Sequence, residues 1–459
     1  MTHFGWTHVA RLGLVQMALG AIVVLTTSTL NRVMVVELAL PALLPGVLVA
    51  LHYAVQLARP RMGFGSDVGG RRTPWIVGGM VVLASGGVLA AFATAWMATH
   101  PAAGMVLALV AFGLVGLGVS AAGTSLLVLL AKRVPEGRRA GAATLVWMMM
   151  IAGFALTAGL AGHWLDPYSP ARLLLVSSGV SLLALLLSLV ALRGLEGTVP
   201  AEGARASRSR DKPRFRVALA QVWQEPVARR FTVFVFVSML AYSAQDLILE
   251  PFAGTVFGYT PGESTQLSGV QHGGVLAGML LVAAAGAVGA RFKHHALLRH
   301  AGSLRAWTIG GCLASALALF ALMFAGLQGT GWPLKATVLA LGVANGAFSI
   351  GAIGSMMRLA GEGRQAREGV RMGLWGAAQA VAFGLGGLVG TGASDLARWL
   401  IAAPGVAYAM VFALQALAFL LSAVLAWRLA APLAPAPSFT GFHPAGDAFA
   451  AGSSPRPQP

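Results

Sequence analysis

The chain has 459 residues, 57% hydrophobic and only 10% charged, with 59 glycines and a mean hydropathy of +0.76. A soluble domain carries about 25% charge, so these values exclude an ordinary soluble enzyme, a disordered chain and a nucleic-acid-binding module. Net charge is +17, from 32 Lys and Arg against 15 Asp and Glu, and in so apolar a chain such an excess reports topology before it reports partners.

A spanning helix needs about 20 apolar residues. Apolar stretches at 13–37, 42–59, 75–97, 103–131, 142–163, 171–193, 230–253, 266–290, 303–326, 335–359, 371–393 and 405–429 predict an all-α membrane protein of twelve transmembrane helices. The opening MTHFGWTHVARLG lacks the pattern of a cleaved signal and reads as a short cytoplasmic lead-in. Arg172, Lys335 and Arg398 fall in the turns of one side and Arg32 lies inside the first stretch; the other Lys and Arg lie in the lead-in, the opposite loops and the C-terminal region. That asymmetry predicts both termini in the cytoplasm. The single Cys312 lies in an apolar stretch, so no disulfide or thiolate metal site is available.

In chain order, the first helix carries Gln16, Gly20, Thr27 and Asn31 along one side, with Arg32 beside them and Glu37 at its end. Ionisable residues inside spans are functional candidates by default. The second helix holds His52. Next comes Gly63-Phe-Gly-Ser-Asp67-Val-Gly-Gly70-Arg71-Arg72, in which glycines permit a tight turn and a carboxylate can cap a helix and hold an arginine. We read it as a structural latch between helix ends. Trp147-Met148-Met149-Met150 with Phe154 is either a soft apolar pocket or packing. Gly194–Glu225 begins as a basic, flexible linker and ends in RFRVALAQVWQEP, where Phe215, Leu219, Val222 and Trp223 recur at the spacing of an interfacial helix.

The seventh helix places Asp246 and Glu250 one turn apart, with Gln245 and Ser243 nearby. Arg32 has two readings: a charge pair with Asp246 or Glu250, or a side chain snorkelling to the outer headgroups as Glu250 would. His272, in the eighth helix, stands opposite His52 in the first six. A neutral imidazole in an apolar site can ligate a metal, the magnesium of a chlorin included, and Gly273 and Gly274 would leave room for a flat ring; alternatively each histidine bonds a neighbouring helix. His294, His295 and His300 sit in a basic loop and read as solvated. Residues 431–459, rich in Ala, Pro and Ser, read as a disordered tail.

The halves repeat. LAKRVPEGRRAGAATLVW (130–147) is similar to RLAGEGRQAREGVRMGLW (358–375), and NRVMVVELALP (31–41) to QDLILEPF (245–252). The expected layout is residues 1–193 as one six-helix half, 194–229 as linker, 230–430 as the second half and 431–459 as tail. With the Asp67…Arg71-Arg72 signature, whose Val68 departs from the usual basic residue, this resembles the 6+6 pseudo-symmetric bundle of the major facilitator superfamily. No hydrolase elbow, metalloprotease pair or nucleotide loop is present, and the chain does not read as an enzyme.

Three strings carry a narrower resemblance: 13–46, 51–79 and 231–257, most specific at Asn31-Arg32…Glu37…Pro41, Asp67…Arg71-Arg72 and Gln245-Asp246-Leu-Ile-Leu-Glu250-Pro251-Phe252. They resemble the PucC/LhaA proteins of purple phototrophic bacteria, the bacteriochlorophyll delivery family. The resemblance implies an assembly factor of light-harvesting antennae in the bacterial inner membrane, with bacteriochlorophyll as cargo. Its implied partners are antenna polypeptides, bacteriochlorophyll synthase and other assembly factors, and membrane lipid, with no nucleic acid. On that footing His52 and His272 are candidate magnesium ligands. Asn31, Arg32, Glu37, Gln245, Asp246 and Glu250 are candidate cavity polar groups, and Gly63, Asp67, Gly70, Arg71 and Arg72 the cytoplasmic latch. A proton-coupled transporter and a pigment-free scaffold are the alternatives.

Overall fold

The structure, a computed structural model, describes residues 4–59, 71–196, 222–291, 303–361 and 368–429. Twelve helices fill them: α1 (Trp6–Glu37), α2 (Leu43–Ala58), α3 (Thr73–Met97), α4 (Pro101–Arg133), α5 (Glu136–Leu165), α6 (Pro170–Leu192), α7 (Pro226–Phe257), α8 (Pro261–Arg291), α9 (Leu304–Gln328), α10 (Leu334–Gly361), α11 (Glu368–Leu400) and α12 (Pro404–Arg428). Eleven are long and apolar enough to cross a membrane, and α2 is a shorter apolar helix. No β-strand occurs among the described residues. The chain is a multi-pass helical bundle, as its hydropathy predicts.

Local chemistry sets the ends. Proline opens α4, α6, α7, α8 and α12, where its missing N–H would have had no partner. Ser169 Oγ accepts from Arg172 N at 3.1 Å and Ser303 Oγ from Ala306 N at 3.3 Å, capping α6 and α9. Thr260 and Glu263 exchange backbone bonds ahead of α8 at 3.0 and 3.1 Å, a capping box. Gly258 closes α7 at φ +70°. The expected lead-in is helical: Val9 and Leu12 are buried, and Arg11 is carried within the bundle because its guanidinium bonds the carbonyls of Ala191 and Arg193 at the end of α6.

The expected linker and interfacial helix fall mostly outside the described residues; of its four apolar positions, Val222 is buried and Trp223 exposed. The tail, the loop histidines and Gly63, Asp67 and Gly70 also lie outside them.

The two six-helix halves meet along α5–α8 and α2–α11. Glycine lets the backbones touch there: a Cβ on Gly162 would lie 2.6 Å from the Gly262 carbonyl oxygen. Met148 and Ile151 of α5 pack with Val275, Met279 and Val282 of α8 and with Ala347 and Ile350 of α10. The Trp-Met-Met-Met run is therefore packing that holds the halves together. In the second half, the Arg371 guanidinium is buried and forks onto the Glu225 carboxylate at 2.7–3.0 Å, tying α11 to the start of α7.

Candidate functional site

The residues singled out in the first, seventh and eighth helices converge on one seam between the halves. Helix α1 widens twice into π-helix, at Leu25–Thr29 and Val33–Glu37, a distortion that often marks functional sites. Helix α7 breaks between Asp246 and Leu249. Pro251 explains part of that break, because it has no N–H for the Leu247 carbonyl four residues back. Asn31 Nδ2 takes that carbonyl at 2.6 Å, so a bond missing from one half's helix is supplied by the other half.

Around this bond lies a run of polar contacts across the seam. Ser28 Oγ donates to Glu250 Oε1 at 2.5 Å and lies 3.3 Å from Ser268 Oγ. The Thr29 and Thr265 hydroxyls pair at 3.1 Å. Glu250 is 1% exposed and its Oε2 has no partner; both amide atoms of the buried Gln245 are likewise unbonded. Asp246, half-buried, accepts from Gln271 Nε2 at 3.3 Å.

Arg32 follows neither expected pattern. It is 2% exposed, so it does not snorkel. Its ion-pair partner is Glu37 of its own helix rather than Asp246 or Glu250, and it donates to the Tyr259 carbonyl of the second half at 2.6 Å. Gly254 leaves the space the guanidinium occupies, since a Cβ there would lie 2.9 Å from Nη2. Glu37 lies five positions after Arg32, and the π-turn between them brings the pair within reach where an α-turn favours a spacing of four.

The two histidines occupy equivalent helices but not equivalent positions. Gly116 of α4 packs on the His52 carbonyl, and Gly342 of α10, its counterpart, packs on the Gln271 carbonyl. Gln271 thus stands where His52 stands in the first half. His272 is one residue on, turned by about 100°. His52 is buried, its Nε2 taken by the Gln56 amide at 2.8 Å, while Arg59 donates to the same amide's oxygen. His272 donates from Nδ1 to the Ser268 carbonyl at 2.9 Å and meets the edge of Phe154 at 5.0 Å. Of its glycine neighbours, Gly273 faces open space, but Gly274 is filled by α10. In this packing His272 belongs to the seam and His52 to the interior of its own half.

Two carboxylates that the sequence reading passed over hold the charge-poor end of the bundle. Asp166, after α5, accepts from Thr260 Oγ1 at 2.7 Å and Gly262 N at 3.1 Å, capping α8. Asp395, near the end of α11, accepts from Ala42 N at 2.9 Å and Leu43 N at 2.8 Å, capping α2. Each half therefore caps a helix of the other. An Asp ahead of Pro167 and a lone Asp late in an apolar span were the available signals. At the basic end, Arg71 is exposed and Arg72 buried. Glu196, beyond α6, accepts from Arg72 N at 2.6 Å and Thr73 N at 2.8 Å. Burial pushes the Glu196 carboxyl up, but these backbone donors outweigh it and hold it below the usual glutamate value. Glu196 is thus a part of the α3 end that the sequence motif does not contain.

The sequence profile of the family described as PUCC protein matches residues 29–433. A Rhodobacter capsulatus protein named "Bacteriochlorophyll synthase 44.5 kDa chain" is 52% identical over 426 residues, 92% of this chain and 95% of that one. "Protein PucC" of Cereibacter sphaeroides is 31% identical over 430 residues, 88% of each. Among solved structures, a POT family transporter superposes with a TM-score of 0.66 at 13% identity, covering 92% of this chain and 96% of that one. The nucleoside transporter NupG does so at 0.64 and 13%, covering 92% and 100%. These last two show a shared transporter-type fold.

Proposed function

The chain belongs to the PUCC protein family, and from that premise we propose that it is an assembly factor of light-harvesting antennae that handles bacteriochlorophyll and passes it to antenna apoproteins. The observation that carries the reading is the near full-length likeness, at 52% identity, to a chain named for bacteriochlorophyll synthase. On this reading the name reflects association with pigment synthesis, and bacteriochlorophyll synthase joins the antenna polypeptides and lipid as a partner. The chain performs no chemistry of its own, and it lies in the bacterial inner membrane with both termini in the cytoplasm.

The geometry supports a sideways route for cargo. The Ser28–Glu250, Thr29–Thr265 and Asn31–Leu247 bonds cross between the halves, and the charge-poor end is capped by Asp166 and Asp395. A broad, apolar, long-tailed pigment would meet the lipid-facing side of such a bundle before its interior. His52 and His272 remain the proposed magnesium ligands of a more open arrangement, with His272 the better placed. Arg32, Asn31 and Glu250, which bond across the halves, would hold them in register, with Glu37 fixing Arg32 and with Gln245 and Asp246 beside them.

The test is an absorption spectrum of the protein purified in mild detergent from pigment-producing cells, freed of antenna. A near-infrared band at stoichiometric level is expected, reduced in His272→Ala. A colourless protein that still retains antenna polypeptides would replace the reading with a scaffold. One observation favours a second reading: Glu250 Oε2 lies unpaired in the seam of a transporter-type fold, as a proton carrier's would. Proton-driven uptake into proteoliposomes that fails in Glu250→Gln would establish it.

A further inference from the structure

We propose that the first half carries a lateral docking site for a ring-headed amphiphile with a long hydrocarbon chain, formed by a crevice between α3 and α6 and an aromatic ladder that leads into it. The proposal rests on the pigment-handling reading and adds a place where cargo first docks.

The crevice measures about 570 Å³ and is lined by Ser85, Val88 and Phe92 of α3 and by Leu174, Ser178 and Leu182 of α6, among others. That is within the 300–1,000 Å³ of typical small-molecule sites. It has a floor, because Gly87 brings α3 against Ser181, whose Oγ lies 3.1 Å from where a Gly87 Cβ would be. In the second half the corresponding pair, α9 and α12, meets closely at the end of α9, where a Gly326 Cβ would lie 2.6 Å from the Gly405 carbonyl oxygen and 3.2 Å from Ala409 Cβ.

What enters such a gap follows from its surroundings. Its walls are spanning helices, so it opens onto lipid and admits a hydrocarbon chain rather than an aqueous solute. Phe92, at one end of the crevice, begins a run of rings at helical spacing: Phe92 to Trp96 at 6.0 Å, then Trp96 to His100 at 5.7 Å. All three are exposed, their planes tilted by 35° and 44° from one to the next, and such a row of rings offers successive aromatic contacts to a flat macrocycle. His100 ends the ladder where α3 gives way to α4. The Thr99 hydroxyl donates to the Trp96 carbonyl at 3.2 Å and lies 3.0 Å from His100 Nδ1, so Nδ1 is the donor of that pair and Nε2 is the nitrogen that would hold a ring-bound metal. A diacyl lipid would fill the crevice but use neither the ladder nor the imidazole.

The experiment uses the full chain from pigment-free cells, reconstituted in lipid nanodiscs. It is titrated with bacteriochlorophyll and with the same macrocycle after its chain is hydrolysed off. The wild type is expected to bind the chain-bearing form at least about tenfold more tightly. Ser178→Phe and Val88→Phe, each checked for an unchanged melting temperature, are expected to remove that preference by filling the crevice. His100→Ala should keep the preference and shift the pigment's absorption band. If pigment binds and neither filling variant alters the preference, the reading of function stands and this site is wrong. Equal competition by a spin-labelled phosphatidylcholine would make the crevice an ordinary lipid slot and overturn the proposal. If no pigment binds in any form, both fall together.

Discussion

The two halves share a backbone plan and fill it differently. In the second half, Phe231, Phe234, Phe252, Phe348, Phe412, Phe419, Tyr408 and Trp375 are buried in one continuous cluster, with ring pairs such as Phe231–Trp375 at 4.8 Å and Phe252–Phe412 at 4.9 Å. The first half divides its core into two largely aliphatic clusters and leaves the α3–α6 crevice open. Aromatic side chains bury about 150–250 Å² each and prefer specific pair geometries, so the second half has the more specifically packed core and the first half the less specified one. A sequence repeat carries helix order and small-residue contacts from one half to the other, but it does not carry side-chain function. His52 and Gln271 make the point, standing in the same place with different chemistry.

The largest effect should come from the aromatic core. Phe234→Ala, between Phe231 and Phe348, is expected to cost about 3–5 kcal/mol. It should lower the melting temperature in detergent more than Leu83→Ala does in the first half. The reverse order would break the contrast between an aromatic and an aliphatic core.

Next is the pair of caps that join the halves. Asp166→Ala with Asp395→Ala should weaken the closed charge-poor end by about 2 kcal/mol, roughly a thirtyfold shift in population. Distances between spin labels at Trp164→Cys and Trp399→Cys would report it. If one cap alone accounts for the whole change, the pseudo-symmetry of the latch is only geometric.

A smaller effect concerns the end of α3. Glu196 is held below its ordinary value on folding, so its contribution is present above the unfolded-state value and is lost as pH falls through the lowered one. Glu196→Gln should cost about 1 kcal/mol at neutral pH, and the gap to wild type should close on acidification below about pH 4. A gap constant across acid pH would remove the carboxylate from the explanation. The smallest expected effect is that of Asn31→Leu, about 0.6 kcal/mol for one interhelical hydrogen bond in a membrane. An effect several times larger would show that the Leu247 carbonyl finds no replacement partner.

Much of the architecture was legible because membrane spanning imposes one strong constraint, a run of apolar residues long enough to cross. All twelve predicted stretches are helices, and the charge asymmetry pointed to which ends lie together. Site residues were legible by type, since an acid, an amide or an arginine in an apolar span is conspicuous. Their partners were not. Nothing in the order of residues says that Arg32 reaches Glu37 through a π-turn, or that Asn31 answers a carbonyl released by Pro251. The caps were missed because Asp166 and Asp395 look like ordinary loop and helix-end residues until the opposite half is beside them.

By itself, the sequence determined that this is a helical membrane protein of repeated halves within a recognisable family, because hydropathy, charge placement and short strings are local properties. Only the tertiary structure decided which polar groups meet, which histidine belongs to the seam and where a gap stays open. The contacts between the halves depend on helix rotation and close approach between residues 94 to 353 positions apart, distances over which no spacing rule operates.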